Sequence, residues 1–262
     1  NQLVEKGYAN STGARRHVVY SLPDDTFYII SVAMDQLITT IALASTQNKY
    51  VGPVEKFELK LPNNPQSLDE LIQHLQTFIK KTKIAPEKIA GIGIGMPGFV
   101  DSKQGINYSF LSAYNDSIVT RIENELGIPV LIDNDSSLIA LAELKWGVAK
   151  NRKHVMVINI GWGVGLGIIA DGKLFRGNEG FAGEFSHIPI FDNNKQCSCG
   201  KYGCLETETS MIVVAQNVVQ GLKSSKPSTL KNIAKDDIED VARKVIEAAQ
   251  KGDKFAIEAL SQ

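Results

Sequence analysis

The stretch Thr26–Thr46, "TFYIISVAMDQLITTIALAST", consists of two β-rich runs, 26–35 and 37–46, separated by a short turn at Asp35-Gln36. β-Branched and aromatic residues dominate both runs, so they read as two adjacent strands. "VEKFELKLP" (54–62) follows with apolar residues at every second position, the period of a half-buried strand. The period then changes. In "SLDELIQHLQTFIKKTK" (67–83), Leu71, Ile72, Leu75, Phe78 and Ile79 fall at helical spacing, with Ser67 and Glu70 at the spacing of a capping box.

Beyond this helix the chain alternates. "IAGIGIGM" (89–96) reads as a buried strand and "DSIVTRIENEL" (116–126) as a helix stopped by Gly127. "VLID" (130–133) is a strand, and "SSLIALAELKW" (136–146) a helix stopped by Gly147. The order βββαβαβα is that of one lobe of an actin-like, ribonuclease-H-like α/β fold, a mixed sheet flanked by helices. A second three-strand start follows in "VMVINI" (155–160), "GLGIIADG" (165–172) and "KLFRG" (173–177), with Asp171-Gly172 as a hairpin turn. Thereafter only helices are expected, at about 205–222, 236–250 and 253 onward. The expectation is a two-lobed fold whose second lobe is incomplete, in a chain that is a piece of a longer protein. Its parts are a lead-in (1–22), a first lobe (23–147) and a second lobe (148–262). The polar, turn-rich "NSTGARRH" (10–17) places residues 1–20 in a tail or linker.

Composition excludes several classes. The 262 residues carry a formal net charge of −1, 43% hydrophobic residues and 22% charged residues, as in an ordinary globular protein. That balance gives no electrostatic footprint for nucleic acid over the chain itself. Arg15-Arg16-His17 is the one basic cluster of the N-terminal stretch, and a solvated linker turn is the preferred reading of it. No apolar run approaches the roughly 20 residues needed to span a bilayer, so no membrane is expected, and the location is expected to be cytoplasmic.

All three cysteines lie in "CSCGKYGC" (197–204). A disulfide would leave one sulfur over. Zinc, which takes four N or S ligands in structural sites, suits three cysteines and one histidine better. His187, ten positions before Cys197, completes a Cys₃His set of His187, Cys197, Cys199 and Cys204. Gly200 and Gly203 would let the loop wrap tightly. The competing reading is three small residues packed in a core.

Two further segments carry polar groups suited to a ligand. Asn134-Asp135 stands where a strand ends and a helix begins, where ligands of α/β folds bind. The two side chains can read hydroxyls, or Asp135 can simply cap its helix. Glu184 and His187, three apart in "GNEGFAGEFSHIPI" (177–190), would share a face if helical, and Glu206 follows the last cysteine closely. A metal on one nitrogen of His187 would then brace Glu184, His187 and Glu206 around a pocket. The alternating Gly161, Gly163, Gly165 and Gly167 fit a phosphate-binding loop only weakly, a tight hairpin being the simpler reading.

Taken together these residues resemble the ROK family of repressors, open reading frames and kinases. "CSCGKYGCLE", "AGEFSH", "NDSSLIALAE" and "GVGLGIIADGKLFRG" carry the resemblance, which runs from about residue 3 to the end. It implies zinc on His187, Cys197, Cys199 and Cys204, and contacts to a sugar or sugar phosphate from Asn134, Asp135, Glu184, His187 and Glu206. In the family's kinases the residue matching Asp135 is the general base. Their first phosphate loop has the form Asp-x-Gly-Gly-Thr, whereas this chain reads Asp35-Gln36-Leu37-Ile38-Thr39, without either glycine. "NSTGARRH" is similar to the linker that joins a winged helix-turn-helix to the body of the family's repressors, and "LVEKGYA" (3–9) to the end of that reading head. The resemblance therefore implies the effector-binding body of a sugar-responsive repressor. Such a body would be a homodimer or homotetramer that reaches DNA through an N-terminal domain outside this chain. The alternative is an ATP-dependent sugar kinase. Ser186, Ser137 and "YSFLSAYND" (108–116) depart from the family's motifs and leave the sugar open.

Overall fold

The structure is a computed structural model. It describes the backbone of residues 4–8 and 18–21, and residues 26–111, 113, 116–224, 226–230, 233 and 238–261. The chain divides into two compact units, Asn1–Asp135 and Ser136–Gln262.

The first unit begins with β1 (Val4–Tyr8) and β2 (Val18–Ser21), an antiparallel pair in which Val4 faces Ser21 and Tyr8 faces Val18. The polar sequence suggested only a tail or linker here. The segment "NSTGARRH" lies outside the described residues. Next come β3 (Tyr28–Met34), β4 (Ile38–Ser45) and β5 (Glu55–Glu58), then α1 (Ser67–Thr82) and β6 (Ile89–Met96). A small hairpin, β7 (Val100–Asp101) with β8 (Ile106–Asn107), leads to α2 (Ile118–Leu126) and β9 (Val130–Asn134).

Five of these strands form one mixed sheet in the order β5-β4-β3-β6-β9. β3 runs antiparallel to β4 and parallel to β6, so that Ser31 is flanked by Ala42 and Gly93. Strict alternation decides the core. Ile30, Val32 and Met34 are buried, while Ile29, Ser31 and Ala33 on the opposite face are exposed. Leu71 and Leu75 of α1 and Ile122 of α2 are fully buried in the same core, each contributing about 1.5–3 kcal/mol by leaving water.

The helix ends show the local chemistry. α2 starts where Ser117 Oγ accepts the Thr120 amide and stops at Gly127, whose φ of 66° suits a residue without Cβ. The capping box at the start of α1 does not form. Ser67 is already the first helical residue, and its hydroxyl is buried without a partner among the described residues. Asn64 does the work instead, accepting the Gln66 amide and donating to Glu70 Oε1.

In the second unit β10 (Val155–Ile160), β11 (Val164–Ala170) and β12 (Lys173–Phe175) form an antiparallel sheet. The β11–β12 turn is Asp171-Gly172, with φ of 50° and 72°, the primed turn its sequence implied. Helix α3 (Asp135–Trp146) opens at the last residue of the first unit. From Ser136 on it lies close against β11: a Cβ on Gly167 would fall 2.2 Å from Ala140 Cβ. Among the described residues four α-helices follow, α4 (Glu206–Thr209), α5 (Met211–Lys223), α6 (Ile238–Gln250) and α7 (Lys254–Ser261). The last three share a core of Val214, Val218, Val245 and Phe255, against which Trp162 packs. The architecture is the expected actin-like α/β arrangement, with no strand after β12 among the described residues.

Candidate metal centre and ligand-reading residues

The segment from His187 to Cys204 folds back on itself. Pro189 bridges Cys204 and Gln196 bridges Tyr202. Within this knuckle the Cys197 amide donates to Lys201 O, and the Gly200 amide donates to Cys197 O. Gly203 is obligatory for a specific reason. Its φ is 71°, and a Cβ there would lie 1.8 Å from Phe191 O.

This folding brings one ring nitrogen and three sulfurs to within 4.8 Å of one another. Cys197 Sγ lies 3.4 Å from His187 Nδ1, and Cys199 Sγ 3.7 Å from Cys204 Sγ. Tetrahedral zinc, with Zn–S about 2.3 Å and Zn–N about 2.0–2.1 Å, would hold such atoms about 3.5 and 3.8 Å apart. The four side chains thus form a cluster able to hold a metal ion.

Without a cation, burial and the thiols of Cys199 and Cys197 push the Cys204 thiol up to about 12. For Cys199 burial acts upward, but the Lys201 amide and the neighbouring thiols outweigh it and lower its pKa. Burial lowers the pKa of His187 against the opposing pull of Glu206, favouring the neutral imidazole that ligates metals. A bound divalent ion would supply the charge that keeps the thiols ionised.

The histidine's other face meets acids. Phe185–His187 form a short 3₁₀ turn, and Glu184 Oε2 stands 3.8 Å from His187 Nε2. The turn is seated by Gly183, where a Cβ would lie 2.0 Å from Leu166 O. Glu206, the first residue of α4, reaches the Val164 amide at 3.5 Å and acts electrostatically on His187. Glu184, His187 and Glu206 are therefore gathered in the second unit. Asn134 and Asp135 close the first unit at the C-terminal end of β9, where Asn134 Nδ2 donates to Gly98 O at 3.2 Å. Asp135 is the first residue of α3 rather than a residue before it.

The model of the ROK family matches residues 38–262. The chain belongs to the ROK family. It is 32% identical over 261 residues to the xylose repressor of Caldicellulosiruptor bescii, covering 95% of this chain and 63% of that protein. It is 34% identical over 212 residues to a glucokinase of Halalkalibacterium halodurans, covering 78% of this chain and 64% of the glucokinase. A solved ROK family transcriptional regulator, a homolog of the E. coli MLC protein, superposes with a TM-score of 0.73 at 28% identity. That match covers 92% of this chain and 60% of the regulator. The chain spans less than two thirds of each of these proteins.

Two loops of this ROK chain bear on phosphate binding. At the β3–β4 turn, Asp35 Oδ1 accepts the amides of Leu37 and Ile38, both at 2.7 Å. The Asp35 amide donates to Ile38 O, and the Gln36 and Leu37 carbonyls accept the amides of Leu61 and Leu59. The Leu37 and Ile38 amides of the turn are thus engaged by the Asp35 carboxylate. Beyond the β10–β11 turn, two glycines of β11 serve packing. Gly165 and Gly167 face Ser136 and Ala140 of α3 at distances that exclude any side chain. Small residues four apart on a helix, opposite glycines two apart on a strand, were the signal in the sequence.

No helix among the described residues is long and apolar enough to cross a membrane.

Proposed function

We propose that this chain is the effector-binding body of a sugar-responsive transcriptional repressor. The observation that carries this reading is the Asp35 turn, whose amides are closed onto the aspartate's own carboxylate where phosphoryl transfer would require a phosphate grip. The likeness to the xylose repressor of C. bescii over 95% of the chain supports it. Sugar hydroxyls are read by Asn134 and Asp135 in the first unit and by Glu184, His187 and Glu206 in the second. The resident metal is zinc, held by His187, Cys197, Cys199 and Cys204, and its part is structural. DNA is reached through an N-terminal domain outside this chain, residues 1–22 being the end of that reading head and its linker. The assembly is a homodimer or homotetramer of the cytoplasm.

A panel of pentoses, hexoses and N-acetylhexosamines, followed by thermal shift, tests the reading. One sugar raises the melting temperature with a concentration dependence set by its affinity, and the shift is lost in Asp135→Ala. No shift from any sugar overturns it. In the full-length repressor the same sugar must change operator affinity, because a ligand that binds both states equally moves no equilibrium.

The likeness to the H. halodurans glucokinase favours a second reading, an ATP-dependent sugar kinase with Asp135 as general base. Sugar-dependent ADP release that disappears in Asp135→Asn would select it.

A further inference from the structure

The residues of the metal cluster span a long excursion of the chain, since His187 and Cys204 are 17 positions apart. Between His187 and Cys197 the excursion is fastened to α4 by residues outside the cluster. Asn193 Nδ2 donates to Glu208 Oε1 at 2.5 Å, and Lys195 Nζ donates to Glu208 Oε2 at 2.7 Å. Asn193 Oδ1 accepts the Lys195 amide, and Asn193 Nδ2 also reaches Thr207 Oγ1 at 3.4 Å. Lys195 O accepts the amide of Gly203, the residue before Cys204. Glu208 lies on α4, the helix that carries Glu206.

We infer that Asn193, Lys195 and Glu208 form a latch, independent of the metal, that preforms the Cys₃His loop and sets how fast the loop gives up its zinc. The inference rests on the zinc reading above. Its physical basis is chain entropy. Ordering a residue's backbone costs about 1–2 kcal/mol, and a contact between residues 193 and 208 removes much of the loop's freedom before any cation arrives. A preordered loop holds its ligands in place when one bond to the metal breaks, so the bond reforms before the ion escapes.

The two arms of the latch differ in strength. The Lys195–Glu208 pair is open to water, with side-chain exposures of 46% and 24%, and such pairs contribute little. The Asn193–Glu208 hydrogen bond is partly buried and accepted by a carboxylate, the stronger kind. The Glu208 carboxyl is correspondingly held below its usual range, by Lys195 first and, against the effect of burial, by Asn193. Glu208 is thus a positioning residue that acts through the loop on the four ligands.

The test uses the zinc-loaded chain, with release timed by excess 4-(2-pyridylazo)resorcinol. Glu208→Ala, which removes both arms, releases zinc about tenfold faster. Glu208→Gln keeps an acceptor for Asn193 and stays within about threefold of wild type. Cobalt(II) loaded in place of zinc keeps its absorption bands in Glu208→Ala, since the ligand set is untouched. In metal-free protein, Glu208→Ala speeds hydrogen exchange in a peptide covering 193–204 and leaves one covering 211–223 unchanged. Wild-type zinc release from Glu208→Ala overturns the latch, and so does equal exchange at 193–204 in the two metal-free proteins. Wild-type chain that takes up no zinc sinks the zinc reading instead, and the metal-free exchange then decides the latch alone.

Discussion

Ser136 Oγ occupies the space in which Gly165 would carry a side chain: a Cβ built there lies 1.9 Å from it. Ser136 Oγ also accepts from Asn159 Nδ2 of β10 at 3.3 Å, so the hydroxyl cannot retreat without releasing that contact. Gly165→Ala is therefore expected to destabilise the chain by about 1–3 kcal/mol, the usual range for overpacking. Gly161→Ala is the control, because a Cβ there meets nothing within 4 Å. Urea denaturation of both variants measures the difference, and equal midpoints would show that α3 does not press on β11.

The elements legible in the sequence were those in which period and punctuation agreed. α2 lies between its cap Ser117 and its stop Gly127, and β11–β12 turn at Asp171-Gly172 as read. The three sulfurs and His187 were recoverable from spacing, because a metal imposes its own geometry on sequence-distant donors. Elsewhere the signal was ambiguous. Gly165 and Gly167 suggested a loop that binds phosphate or turns tightly, yet their reason is a helix that passes close to the strand. The Ser67–Glu70 spacing matched a capping box, but Asn64 had already turned the chain, leaving Ser67 inside the helix. Strands β7 and β8, two residues each, are too short to show a period at all.

Asp253 anchors the second core. Its carboxylate accepts the Thr229 amide and hydroxyl, the Ser228 hydroxyl and the Ala256 amide at the start of α7. Burial alone would raise its pKa, but these donors outweigh burial and hold it well below the carboxylate range. A depressed folded-state pKa stabilises above the unfolded value of about 3.9, and the contribution is lost as pH falls toward the folded value. Asp253→Asn is expected to cost about 1.5–3 kcal/mol at pH 7. The gap to wild type should stay constant from pH 7 to about pH 5 and narrow below about pH 4. Chemical denaturation across that range measures it, and a gap that widens in acid would contradict the assignment.

Chelation is expected to loosen the second unit selectively. With the ion gone, the buried Cys204 thiol reverts toward its raised pKa of about 12 and protonates, so the cluster no longer holds ionised sulfur in one place. Gently purified chain should contain about one zinc per molecule by elemental analysis. Treatment with a strong chelator should lower its melting temperature, and added zinc should restore it. Cys204→Ser should reproduce the chelated state, because hydroxyl oxygen is a poor replacement for thiolate on zinc. Protein free of metal with an unchanged melting curve would refute the expectation.

The Asp35 turn separates the two functional readings most directly. Asp35 Oδ1 satisfies the Leu37 and Ile38 amides, so Asp35→Ala should cost about 1–2 kcal/mol in stability. Asp35→Asn, which keeps an acceptor oxygen, should cost less. Phosphoryl transfer needs donors free to receive charge on the phosphate, and here the Leu37 and Ile38 amides already bond the Asp35 carboxylate. Leu37 and Ile38 carry side chains at the two positions that are glycine in the Asp-x-Gly-Gly-Thr form of the family's kinases. With ATP, magnesium and the sugar panel, ADP release is therefore expected to match a blank without protein, and Asp135→Asn should leave it unchanged. Turnover above the blank that vanishes in Asp135→Asn would mean that the turn opens to admit a nucleotide, and the chain would then be a kinase.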